Sequence, residues 1–195
     1  MLFADLSTAM KTRSVDVARP KRLLIDQQPH LIYYQAINQR NAFSDNQDYQ
    51  QYLHWLNKEA LIHNCILHAY LLLPKQIYLV LEPSCGEDIS KLMQALGRRY
   101  VRYLNLKEKL SGTLWKDRFK ASPLHSDFWL KNTLHYLVYK PVTKGLCETP
   151  KDYPWSSYRK HVFEQLSYLQ DLKLPPDLSI RSQLEAAISR NLPLP

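Results

Sequence analysis

Two polar side chains, Gln76 and Tyr78, break into a stretch that is otherwise strongly apolar: His68-Ala-Tyr-Leu-Leu-Leu-Pro-Lys-Gln-Ile-Tyr-Leu-Val-Leu-Glu-Pro83. Its runs are short and bounded by turn signals, so it reads as two buried strands, Cys65–Leu72 and Gln76–Leu81, joined at Pro74-Lys75. Side chains alternate across a strand, which puts Gln76 and Tyr78 on one face and Ile77 and Leu79 on the other. An amide beside a phenol is either a satisfied polar edge of the core or part of a site. The second chemical signal is cationic. Nine Lys or Arg and two acids fall between residues 91 and 120, a net of +7 out of +8 for the whole chain. A charge excess this localised attracts a polyanion and speeds its capture, unless it is simply a solvated basic face. Within it, Trp115 and Phe119 are interleaved with Lys116, Arg118 and Lys120. Aromatics alternating with cations suit stacking on unpaired bases while neutralising phosphates; the alternative is a core Trp beside a solvated edge.

These residues need elements to position them. His30–Ile37 is apolar and β-prone and reads as a first strand. Asp45 or Asn46 can cap a helix with Tyr49, Tyr52, Leu53, Leu56 and Ala60 at helical spacing. After the two central strands, Glu87 or Asp88 opens a long helix that ends near Asn105. Its buried stripe is Ile89, Leu92, Met93, Leu96, Tyr100, Tyr103 and Leu104, with Lys91, Arg98 and Arg102 opposite and Arg99 alongside. Residues 112–120 read as a hairpin or strand pair. Asp127–Lys140 reads as a helix packing through Phe128, Trp129, Leu130, Leu134 and Leu137, and Pro141 stops it.

The chain has 195 residues, enough for one domain with a core plus tails. No run of about 18 apolar residues occurs, so no membrane helix is expected. The N-terminus lacks the pattern of a secretory signal. Cys65, Cys85 and Cys147 are scattered, odd in number and never at metal spacing, which fits a reduced, cytoplasmic setting.

His68–Pro83 resembles the segment that REP-associated tyrosine transposases carry as His-Ala-Tyr-Val-Leu-Met-Pro-Asn-His-Val-His-Leu-Leu. Four further segments are similar to that family: Met93-Gln-Ala-Leu-Gly-Arg-Arg-Tyr-Val-Arg-Tyr-Leu-Asn105, Gly112-Thr-Leu-Trp-Lys-Asp-Arg-Phe-Lys120, Leu134-His-Tyr-Leu-Val-Tyr-Lys-Pro-Val142 and Asp152-Tyr-Pro-Trp-Ser-Ser-Tyr158. One turn departs from the family: Ala36-Ile37-Asn38-Gln39-Arg40 lacks its glycine, so a left-handed backbone is less expected there. The resemblance implies a ferredoxin-like α+β sandwich, an antiparallel sheet of four to five strands backed by helices. The strand, helix, strand, strand, helix, strand, helix order read above agrees with it. The implied organisation is a flexible extension over 1–17, the transposase-like domain over 18–160, and a tail over 161–195 with one short helix from Ser179 to Ser189.

In the active family a tyrosine attacks a phosphodiester of single-stranded DNA beside a hairpin, while two histidines hold a divalent Mg or Mn. By resemblance, Tyr136 occupies the nucleophile position and Gln76 and Tyr78 replace the histidines. Lys140 replaces an asparagine that can complete the metal shell, four residues on along the same helix face. A phenol with a pKa near about 10 needs the metal's help. A neutral amide, a neutral phenol and an ammonium are poor ligands, and the ammonium repels a cation. The expectation is therefore no metal, no cofactor and a silent site.

The preferred reading is a catalytically inactive, regulatory relative that grips DNA or RNA hairpins with flanking single strand through Arg98, Arg99, Arg102, Trp115, Lys116, Arg118 and Lys120. It is expected to be monomeric and away from membranes. The alternatives are a working tyrosine transposase acting through Tyr136, including one in which Lys140 replaces the metal as a fixed charge, and a basic protein-interaction module.

Overall fold

The computed structural model describes residues 22–37, 40–158 and 176–190. The expected 1–17 extension, the turn residues Asn38 and Gln39, and most of the 161–195 tail lie outside these. The elements are β1 (His30–Gln35), α1 (Asn46–Ile62), β2 (Cys65–Leu73), β3 (Gln76–Pro83), α2 (Gly86–Glu108), β4 (Lys120–Pro123), α3 (Asp127–Thr143) and α4 (Leu178–Arg190). The four strands form one antiparallel sheet in the order β2-β3-β1-β4. With α1 and α2 as the two crossovers, this is the ferredoxin-like βαββαβ arrangement expected from the sequence.

Strand alternation divides the apolar side chains into two layers. Ile32, Leu72, Ile77, Leu79, Leu81 and Ala121 face α1 and α2. Leu31, Leu71, Tyr78 and Val80 face α3 and α4. Helix α2 buries Ile89, Leu92, Met93, Leu96, Tyr100 and Leu104 of its predicted stripe, while Tyr103 is only partly buried and donates to Asp48. Asp45 caps α1, accepting the Asp48 amide at 3.1 Å. The fully buried Asp48 accepts in return from the Ser44 amide, Tyr103 and Lys107, which ties the start of α1 to the end of α2. At the start of α2, Gly86 lies so close to the N-terminal segment that a Cβ there would meet the Leu24 carbonyl oxygen at 2.5 Å.

Several expectations need correction. Helix α2 starts at Gly86 and runs to Glu108, one turn beyond Asn105, ending on left-handed Lys109. Pro141 does not stop α3. It lies in the last turn, where a missing N–H removes one bond at the end of the ladder, and the helix continues to Thr143. Phe128 is exposed rather than packed. Residues 112–119 are not a hairpin. The left-handed Gly112 and the Thr113 hydroxyl, which accepts the Trp115 amide at 3.2 Å, turn the chain. It then touches β1 only briefly: Trp115 bridges Ala36, and the Lys116 amide donates to the Gln35 carbonyl at 3.0 Å. Regular pairing resumes at Lys120, opposite Tyr33.

Candidate nucleic-acid interface

The register of the sheet builds the floor of the site. Tyr33 lies opposite Tyr78, and Gln35 opposite Gln76, all on the face toward α3. Their polar atoms form one chain: Tyr78 donates to the Gln76 oxygen at 3.3 Å, the Gln76 amide donates to the Tyr33 oxygen at 3.1 Å, and Tyr33 donates to the Gln35 oxygen at 2.8 Å. The one oxygen of Gln76 that could approach a cation therefore already accepts a hydrogen bond from Tyr78.

Helices α3 and α4 supply the wall. Tyr136 and Lys140 are one turn apart on α3, so both point at Tyr78. The Tyr136 and Tyr78 rings meet edge to face at 6.4 Å. The Lys140 ammonium bonds the Tyr136 hydroxyl and lies 4.3 Å from the Tyr136 ring centre and 5.3 Å from that of Tyr78. Glu185 of α4 completes the cluster, accepting from Tyr136 at 3.3 Å and from Lys140 at 3.4 Å, with Arg181 at 3.5 Å. Lys120 reaches across to donate to the Ser189 carbonyl at 2.6 Å. Together with Lys144 these side chains, Arg181 apart, line an open cleft of about 310 Å³.

Burial dominates the electrostatics. It pushes the Tyr136 phenol up, and the Glu185 carboxylate pushes the same way. Burial also raises the Tyr78 phenol. It lowers the Lys140 ammonium, partly offset by Glu185. For Glu185 burial acts upward, but Lys140, Arg181 and the Tyr136 hydrogen bond outweigh it and the net shift is down. The phenol is thus held protonated and the carboxylate charged, and that carboxylate favours the Lys140 ammonium against burial. The donor set does not fit a divalent metal: the three positions offer an engaged amide, a protonated phenol and a cation. Among the described residues, no three His, Cys, Asp or Glu side chains converge on a point that could hold one.

The predicted nucleic-acid contacts separate into two groups. Lys116 and Arg118 are exposed on the loop before β4, and with Lys120, Tyr33, Tyr34 and Gln35 they line a second, smaller pocket. Tyr33, Gln35 and Lys120 belong to both pockets, so the two are neighbours along the open end of the sheet. Trp115 is not offered to a ligand. It is 6% exposed and stacks on Tyr34 at 4.0 Å, beneath Gly97 of α2. Arg98, Arg99 and Arg102 are exposed on α2, which covers the opposite face of the sheet from Tyr136. Arg99 pairs with the buried Glu59 at 3.2 Å, so it also fastens α2 to α1.

Sequence reasoning missed Tyr33, Gln35, Lys144 and Glu185. Strand parity could have found the first two, since it puts Tyr33 and Gln35 on one face of β1. Nothing local marks Glu185, which meets Lys140 across 45 residues.

Comparison with known proteins gives the same relationship. Over 126 residues the chain is 28% identical to a Haemophilus influenzae protein assigned as a REP-associated tyrosine transposase, covering 60% of this chain and 71% of that one. The solved structure of a REP-associated tyrosine transposase bound to a REP hairpin superposes with a TM-score of 0.70 at 18% identity, over 84% of this chain and 96% of the other. No family model matches the chain. The likeness first read from the motifs is thus present in both sequence and fold.

Proposed function

We propose that the chain is a transposase-like protein that binds nucleic-acid hairpins with a flanking single strand and does not cleave them. The carrying observation is the Lys140 ammonium, bonded to Tyr136 and Glu185 where the related enzymes need a divalent cation. Binding is supported by the likeness to a transposase solved with a REP hairpin and by the cations that rim the two adjoining pockets. In this reading Lys116, Arg118 and Lys120 contact the strand near the pockets, and Arg98 and Arg102 offer a second contact for the stem. Such a protein would act by occupying its target, with no metal and no cofactor.

A gel shift with hairpin oligonucleotides at rising salt tests the reading. Affinity should fall steeply with salt, and the slope should flatten by about one per phosphate-contacting Lys or Arg replaced by Ala. No binding, or binding indifferent to salt, contradicts it. The competing reading is a metal-free transposase in which Lys140 stabilises a Tyr136 phenolate. Their direct contact favours that reading. Burial and the Glu185 carboxylate oppose it, because both hold the phenol protonated.

A further inference from the structure

We propose that the Lys140 cleft is a metal-independent binding site for a phosphodiester of the flanking single strand, with the ammonium replacing the cation and the Glu185 carboxylate marking the phosphate's position. The inference rests on the hairpin-binding reading and assigns this cleft its part in it.

Lys140 is 7% exposed, and a buried ammonium requires an anionic partner. Glu185 provides it from the rim, where its side chain remains 47% exposed. One oxygen of Glu185 accepts from Tyr136 at 3.3 Å and from Lys140 at 3.4 Å, and pairs with the Arg181 guanidinium at 3.5 Å. A phosphate oxygen accepts the same charge-assisted bonds. Exchanging the carboxylate for a phosphodiester leaves the negative charge beside Lys140 unchanged, and the displaced Glu185 is already half in water. Lys120 and Lys144 line the same cleft, so its cations outnumber its one carboxylate. The shared wall of Tyr33, Gln35 and Lys120 gives a strand a continuous path from Lys116 and Arg118 to Lys140. No step needs a divalent ion, and the donors at positions 76, 78 and 140 do not suit one.

The test compares one hairpin with and without a single-stranded flank, in EDTA and in Mn. The flank should raise affinity equally in both. Lys140→Met should remove most of that gain, roughly tenfold for a lost charged contact. Glu185→Gln, which keeps shape but removes the competing charge, should raise affinity for the flanked hairpin several-fold. Because Lys140→Met could disturb folding, Glu185→Gln is the decisive variant. The inference is overturned if the flank adds nothing, if its contribution appears only with Mn, or if Glu185→Gln leaves affinity unchanged or lowers it. Should the blunt hairpin also fail to bind, the broader hairpin-binding reading falls with it.

Discussion

Lys140 brings a buried charge to the cleft, and Trp115 fills the core behind the adjoining pocket. Lys140 was identified by its position relative to Tyr136, but its partner was not, because Glu185 comes from a separate segment that only the folded chain brings near. Gln76 and Tyr78 were legible as a polar pair from strand parity alone, and the structure shows them hydrogen-bonded to each other and to Tyr33. The expectation that Trp115 contacts nucleic acid fails for a physical reason: alternating aromatics and cations suit a stacking surface, but a core edge gives the same pattern. Burial beneath Gly97 and stacking on Tyr34 place it in the core. Trp115→Ala is therefore expected to lower stability by about 3–5 kcal/mol in urea unfolding, through loss of packing. A variant of unchanged stability with selectively weakened single-strand binding would contradict that placement.

Elements were legible where periodicity is long and strong. Helix α2, with its seven-residue apolar stripe, was found within a turn of its true ends, and β2 and β3 within two residues. In the 112–119 loop the alternation mimics a strand, while the path is set by Gly112, Thr113 and a brief contact with β1. Gly86→Ala forces a Cβ against the Leu24 carbonyl, so it should cost about 1–3 kcal/mol even though Ala favours helices; a neutral or stabilising result in thermal melts would show that the N-terminal segment yields. Asp48→Ala removes the cap partner, takes the acceptor from Tyr103 and two backbone amides and leaves Lys107 paired with Asp45 alone, and a loss of about 1–3 kcal/mol is expected in urea titration. A loss within ordinary surface scatter would mean that Lys107 and Tyr103 find other partners.

At the scale of the molecule, burial makes the fold sensitive to alkali. Tyr52, Tyr78, Tyr100, Tyr136 and Tyr153 all have phenols raised above their ordinary value, chiefly by burial. The unfolded chain releases those protons near about pH 10 while the folded chain keeps them, so stability must fall as pH rises through that range. Lys140, lowered by burial, acts oppositely but is one group against five. The urea midpoint should drop between about pH 8 and about pH 10.5, with the tyrosinate absorbance of these five appearing only on unfolding; a midpoint that holds steady contradicts it. The element order and the antiparallel sheet backed by helices followed from pattern and resemblance, whereas the site depends on α4 closing against α3, which no local signal announces. The central claim is that this fold retains its hairpin grip without strand cleavage. It is tested most directly by incubating the protein with labelled flanked hairpin DNA and Mn, then denaturing the mixture and looking for labelled protein. The expected result is a saltsensitive complex before denaturation and no covalent adduct after it. An adduct that forms with the native chain and disappears in Tyr136→Phe would contradict the claim.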